Sequence, residues 1–238
     1  MDLNRWERQL PLFKQGSSDQ KRLLKAKITV IGAGGLGSAF LYYTAAAGIG
    51  SLQVIDYQTV EISNLNRQIL YSHHDIGRKK VEAAALRLKA LNPGIKIETI
   101  DDRLENAVSS IERFGPDVIV DCTDNLESRI SLNRLCLQLK IPFVYAAIEG
   151  WRGLTGAVYP QQSSCFECIF GDKDSVKKVP PVIGVTPGFA GIIEATVAIK
   201  MLLDEKPLYN QILFFDLEAF SFKLLRTKRK SGCGACGG

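Results

Sequence analysis

Four glycines in the spacing Gly32-Ala-Gly34-Gly35-Leu-Gly37 follow a mainly apolar run, Lys27–Ile31, and open a stretch of helical composition. Glycine at these places lets backbone N–H groups come close to a phosphate at the positive end of a helix. Asp56, nineteen residues past Gly37 at the end of the next such run, is placed to hold ribose hydroxyls. That pattern specifies a nucleotide without separating NAD from ATP. The residues after Asp56 bear on the choice. A triphosphate brings roughly four negative charges and recruits Lys or Arg. Asn64, Arg67 and Gln68 come soon after the acid, and Arg78, Lys79 and Lys80 crowd the start of a helix. Cations there oppose the helix dipole by ~0.3–1 kcal/mol each, a cost that a bound anion removes. A solvated basic turn accounts for any single lysine; the set together favours ATP.

Asp121-Cys-Thr-Asp124-Asn125 closes a further apolar run, at the strand end where open α/β sheets place ligands. A carboxylate facing a triphosphate there makes a natural Mg²⁺ ligand, and Asp124 is the candidate. Asp124 or Asn125 is equally suited to capping the following helix. The sharpest spacing belongs to sulfur. Cys165-x-x-Cys168 and Cys233-x-x-Cys236 supply four thiolates, which make a closed, structural zinc site that ties the tail to the segment after the sheet. Its formal charge of −2 gives a local reason for the cations Lys223, Arg226, Lys228, Arg229 and Lys230. Cys122 and Cys136 read as small core residues. His73 and His74 are the two histidines of the chain, which argues against a Ser-His-Asp triad and against a zinc held by several imidazoles.

These residues need a scaffold, and 238 residues with 46% hydrophobic and 23% charged composition suffice to bury a core without staples. The formal charge of +5 equals the five cations of 223–230, so no broad nucleic-acid face is expected. Residues 28–55 lack any charge but hold six glycines, the punctuation of a buried βαβ unit rather than a membrane span. The charged N-terminus carries no secretory signal, and a soluble, cytoplasmic protein is expected. Strands are predicted at Lys27–Ile31, Ser51–Ile55, 95–100, 117–121, 143–148 and 153–159, with antiparallel strands at Gln211–Asp216 and 221–225. Helices are predicted at 3–24, 36–47, 78–91, Leu126–Leu139 and 188–203, and a loop rich in Lys, Pro and Gly at 171–187. Alternation of this kind predicts a mainly parallel sheet with helices on both faces. The chain reads as one domain: an arm at 1–24, a nucleotide-binding half at 25–150 and a second half at 151–238 ending in a zinc knuckle.

These residues, in this order, resemble the ThiF/MoeB/HesA family of ATP-dependent activating enzymes, relatives of the ubiquitin-activating enzymes. The resemblance runs from Arg5-Trp-Glu-Arg8-Gln9 to the last C-x-x-C. It is most specific at Val60-Glu-Ile-Ser-Asn64-Leu-Asn-Arg67-Gln68, at Ile76-Gly77-Arg-Lys-Lys80 and at Asp121-Cys-Thr-Asp124-Asn125. It implies a Rossmann-like fold in which Asp56 binds the ribose, Asn64, Arg67 and Lys80 meet the phosphates, and Asp124 helps hold Mg²⁺. It further implies a homodimer in which Arg8 reaches the partner subunit's site. The implied reaction adenylates the C-terminal glycine carboxylate of a ubiquitin-like sulfur carrier ending in Gly-Gly, and releases pyrophosphate. Such a carboxylate is already ionised near neutral pH and needs no general base. The chain departs from the family pattern at Gln58, where members usually carry an Asp, and in the absence of any cysteine from 169–232, so no thioester or acyl-disulfide is expected from that loop. With no rhodanese-like or ubiquitin-fold extension read in the sequence, sulfur is expected from a separate donor. The terminal Gly237-Gly238 resembles a carrier's tail, but a knuckle turn accounts for it more simply. The competing readings are another acceptor (a tRNA base or a peptide carboxyl), a non-catalytic partner subunit of a heterodimer, and a nicotinamide dehydrogenase. Arg67 and Lys80, together with the lack of an evident hydride-transfer acid or base, weigh against the last.

Overall fold

Short apolar runs bounded by glycine, proline and asparagine become the strands of one sheet. In the computed structural model, which describes residues 3–171 and 181–237, five strands run parallel: β1 (Lys27–Ile31), β2 (Ser51–Ile55), β3 (Lys96–Ile100), β4 (Val118–Asp121) and β5 (Phe143–Glu149). Three more, β6 (Arg152–Val158), β7 (Gln211–Asp216) and β8 (Ser221–Arg226), extend it antiparallel. Their order is β3-β2-β1-β4-β5-β6-β7-β8, so the winding reverses between β1 and β4. The change to antiparallel pairing has a local cause: Gly150-Trp151 joins β5 to β6 directly, Gly150 has φ +58°, and so tight a link leaves no room for a crossover helix.

Among the described residues seven α-helices accompany the sheet: α1 (Ser17–Leu23), α2 (Gly35–Ala47), α3 (Lys80–Leu91), α4 (Leu104–Phe114), α5 (Leu126–Leu139), α6 (Phe166–Phe170) and α7 (Val185–Leu202). Side chains alternate across each strand. Val118 and Val120 join Phe40, Leu88 and Ala198 in a core under α2, α3 and α7, while Ile119 joins Ile111, Leu132 and Cys136 in a second core under α4 and α5. Cys122 belongs to the first core, so both lone cysteines are buried as expected. α7 is long and apolar enough to cross a membrane by length and composition, yet here it packs against α2 and β5, with Ala190, Ala195 and Ala198 buried.

Several elements differ from expectation. The predicted helix at 3–24 is two 3-10 turns, Asn4–Trp6 and Leu10–Leu12, followed by α1. Pro11 lies inside the second turn and Gly16 has φ +53°, so an unbroken helix is interrupted twice. The third helix begins at Lys80 rather than Arg78, because Lys79 is in extended conformation. α7 begins at Val185 rather than 188, with Pro187 in its first turn, where the missing N–H costs nothing; of the predicted loop, 172–180 lies outside the described residues. α4 and α6 are additional. The stripe Leu104, Ala107 and Ile111 that buries α4 is legible as helical spacing.

Candidate active site

In-register pairing aligns the carboxyl ends of three strands. Ile31 pairs with Ile55 on one side and with Asp121 on the other, so Gly32, Asp56 and Cys122 leave the sheet at one level, on the two sides of the winding reversal. Gly32 has φ +94°, and a side chain there would put Cβ 2.6 Å from the Cys122 carbonyl oxygen. A side chain on Gly37 would run into the Gly32 carbonyl. These two glycines let the β1–α2 loop lie against the β4–α5 loop, while Gly34 and Gly35 line the cleft that opens above.

The cleft has a volume of about 800 Å³. Asp56 is built into the glycine loop: one carboxylate oxygen accepts the Ala33 N–H at 2.8 Å and the other the Gln58 N–H at 2.8 Å. Tyr71 donates its hydroxyl to the Ala33 carbonyl at 2.7 Å and fixes the loop from beneath. Lys80, at the first turn of α3, is only 2% exposed and donates to Gln58 Oε1 at 2.7 Å. Burial pushes its ammonium below the usual lysine range; the Asp56 and Asp124 carboxylates draw it back up, and Arg67 opposes them. Arg67 also borders the cleft and is steadied by the Ser63 carbonyl and Asn66 Oδ1. Gln68, 4% exposed beside Gly34, leaves its Oε1 without a hydrogen-bond partner among the described residues.

Of the two residues at 124–125, Asn125 takes the capping role. Asn125 Oδ1 accepts the Ser128 N–H at 2.8 Å and caps α5, whereas Asp124 borders the cleft and makes no hydrogen bond among the described residues. Of the predicted site residues, Gly32, Gly34, Gly35, Asp56, Arg67, Gln68, Lys80, Asp124 and Asn125 come together here. Three do not line the cleft. Gly37 serves the packing described above. Asn64 is buried behind it, with its side chain on the Glu61 N–H and its carbonyl accepting from the Arg67 and Gln68 N–H groups. Arg8 lies in the N-terminal arm, which Trp6 and Gln9 tie to Ala46 and Ala47 at the far end of α2 from the glycine loop.

Sequence reasoning passed over Arg103 and Arg129 and noted Gln58 only as a missing Asp; all three are on the cleft wall. Arg129 follows the Asn125 cap by one helical turn and reaches back to the fully buried Asp121, Nε to Oδ2 at 2.7 Å, and to the Thr123 carbonyl at 3.1 Å. An arginine one turn past a cap, behind a strand-end acid, was the available signal. Arg103 stacks on Tyr57, its guanidinium carbon 4.1 Å from the ring centroid.

On the sheet face covered by α4 and α5, the two C-x-x-C pairs meet. The four sulfurs lie within 4.8 Å of one another, and Cys165–Cys168, Cys165–Cys233 and Cys168–Cys236 are 3.7, 3.7 and 3.5 Å apart. Thiolates placed tetrahedrally at about 2.3 Å from zinc are about 3.8 Å apart, so the cluster fits a zinc ion with little adjustment. Burial pushes the Cys233 thiol up, but the Cys236 and Ala235 backbone N–H groups outweigh it and hold the thiol at about 7. The Lys230 N–H points to Cys168 Sγ at 3.3 Å. Arg229 binds the Cys236 and Gln161 carbonyls at 3.2 Å, so it clasps the knuckle through its backbone.

A phosphate-type loop at the winding reversal of a doubly wound sheet, followed by a knuckle of four clustered cysteines that could hold a metal ion, defines the class of an α/β nucleotide-binding protein. The chain belongs to the ThiF family, whose profile matches residues 6–235. It is 36% identical over 241 residues to the SAMP-activating enzyme E1 of Haloferax volcanii, covering 99% of this chain and 89% of that one. It is 33% identical over 241 residues to the sulfur carrier protein ThiS adenylyltransferase of Escherichia coli, covering 100% and 96%. Among solved structures, E. coli MccB crystallised with ATP superposes with a TM-score of 0.86 at 23% identity, over 99% of this chain and 75% of that one, a likeness of fold.

Proposed function

We propose that this protein uses ATP to adenylate the C-terminal glycine carboxylate of a ubiquitin-like sulfur carrier, with release of pyrophosphate. The observation that carries the reading is the convergence, in one cleft, of the glycine loop, the Asp56 carboxylate, the buried Lys80 ammonium, Arg67 and the uncapped Asp124. Relatives named for this activity across nearly the full length of the chain support it. Asp56 receives the ribose, and the N-terminus of α2 with Arg67, Gln68 and Lys80 receives the phosphates. Asn64 acts by holding the turn that carries Arg67 and Gln68. Asp124 is the residue that would help hold Mg²⁺, which supplies charge neutralisation at the phosphates.

The carrier carboxylate attacks the α-phosphorus, a C–O–P linkage forms, and the bond to pyrophosphate breaks, leaving an acyl-adenylate. No proton moves, so catalysis rests on alignment and on cations neutralising charge at the reacting phosphate. In this reading zinc occupies the four-cysteine knuckle, sulfur comes from a separate donor, and the enzyme works in the cytoplasm as one adenylation domain. The six described cysteines are all free of disulfides, which accords with a reducing compartment. Arg8, distant from its own cleft, acts in the partner's site of a homodimer.

ATP–pyrophosphate exchange with Mg²⁺ tests the reaction. Exchange that depends on a small carrier ending in Gly-Gly is expected. ATP binding without exchange for any such carrier would overturn the acceptor assignment. Mixing Arg8→Ala with Lys80→Ala protein is expected to restore activity through hybrid dimers; stable hybrids without recovery would reject action across subunits.

A further inference from the structure

Gln58 joins two charged groups of the cleft. Its N–H donates to Asp56 Oδ1 at 2.8 Å, its carbonyl accepts the Lys80 N–H at 3.0 Å, and its Oε1 accepts from Lys80 Nζ at 2.7 Å. Lys80 is almost wholly buried, so its ammonium has given up most of its water. An ammonium carries three donors, and among the described residues the one that is used goes to this neutral amide. Buried cations are ordinarily paired with a carboxylate. Here Asp56 and Asp124 act on Lys80 electrostatically, yet neither forms an ion pair with it among the described residues.

The distinction has a chemical consequence. A carboxylate in contact with the ammonium would orient it and also cancel much of its pull on an incoming polyphosphate. An amide orients it and leaves the charge intact. The three hydrogen bonds of Gln58 also couple the lysine to Asp56, so the acid at the ribose end and the cation at the phosphate end are set by one residue. We propose that Gln58 is a positioning residue, which aims the Lys80 ammonium at a polyphosphate and keeps its charge uncompensated until that anion arrives. The inference rests on the reading of the cleft as an ATP site.

The test compares Gln58→Glu and Gln58→Met with the wild type, using calorimetric binding of ATP, of adenosine and of inorganic pyrophosphate to the full chain, together with thermal melting. Gln58→Glu is expected to keep or raise Tm, since it gains a charged partner for Lys80, yet to weaken ATP binding about tenfold and leave adenosine within about twofold. Gln58→Met, which neither orients nor neutralises the ammonium, is expected to weaken ATP about threefold. In exchange assays both changes are expected to raise KM for ATP more than they lower kcat. Wild-type ATP affinity in Gln58→Glu would overturn the proposal, as would equal losses for ATP and adenosine. If the wild type bound pyrophosphate but not ATP, the nucleotide reading would fall; a selective loss of pyrophosphate binding in Gln58→Glu would still uphold the role of Gln58. Should the Glu variant fail to fold, the Gln58→Met comparison of ATP with adenosine decides the matter alone.

Discussion

The cleft and the cysteine cluster are both assembled from residues distant in sequence, but they are finished in opposite ways. The cleft gathers Gly34, Asp56, Lys80 and Asp124 from three strand–helix junctions around an open space, with a buried cation held by an amide. The cluster gathers Cys165, Cys168, Cys233 and Cys236 from two short segments and turns four sulfurs toward one another, with Cys165 fully buried. One arrangement keeps charges unsatisfied in readiness for a ligand that comes and goes. The other turns four ligand atoms inward, the closed donor set of a structural metal site. On the proposed reading, the difference teaches that a cleft for chemistry is built at some expense in stability, and a closed cluster for stability without chemistry.

The strongest test of that contrast is Lys80→Ala. It is expected to reduce carrier-dependent exchange by about 10²–10³-fold, the scale for removing one electrostatic contact at a reacting centre. Its Tm is expected to hold or rise, because the burial penalty on the charge disappears with it. A clear fall in Tm would show that the cleft is part of the stabilising framework and would break the contrast. Cys233→Ser is the mirror experiment. It is expected to lose the metal by elemental analysis and to lower Tm by about 5–10 °C, with ATP affinity kept within about twofold. A collapse of ATP binding would show that the two regions are one unit.

Smaller effects sharpen the division inside the cleft. Asn125→Ala removes the cap of α5 and is expected to cost about 1 kcal/mol, a fall in Tm of about 2–4 °C, with a modest loss of exchange activity. An activity loss as large as that of Lys80→Ala would give Asn125 a direct part in the reaction. The smallest effect lies outside the cleft lining, at Asp75. Burial of Asp75 raises its carboxyl, but hydrogen bonds from Arg87 and Ser72 outweigh this and hold it at about 2. The unfolded chain therefore binds this proton more readily than the folded one. The stability it contributes is complete above about pH 4 and is lost as pH falls through about 2. Asp75→Asn is expected to flatten acid denaturation over that window while exchange at neutral pH stays unchanged.

Much of the framework was legible because each signal was local. The charge-free stretch 28–55 became β1, α2 and β2 within a residue of expectation, and the two C-x-x-C pairs met as their spacing required. Helix α4 carried its own stripe at Leu104, Ala107 and Ile111 and was legible in principle. The broken N-terminal arm was harder, because polar composition favours a helix there while Pro11 and Gly16 interrupt it. Within the site, which of Asp124 and Asn125 caps α5 could not be read from spacing alone, since either side chain reaches a helix N-terminus.

The sequence by itself determined the kinds of group available: a glycine loop, a strand-end acid, a few cations, four paired thiols and almost no histidine. These follow from covalent chemistry and from short-range periodicity, which a linear chain displays openly. Only the tertiary structure decided which of these groups meet. In-register pairing of Ile31 with Ile55 and Asp121 brought three strand ends to one level, and that pairing depends on contacts across the whole sheet. The same long-range geometry placed Arg129 against Asp121, kept Arg8 at the opposite end of α2, and set Gln58 rather than a carboxylate beside the buried Lys80. Distances between residues far apart in a chain are set by packing, and packing is a property of the folded whole.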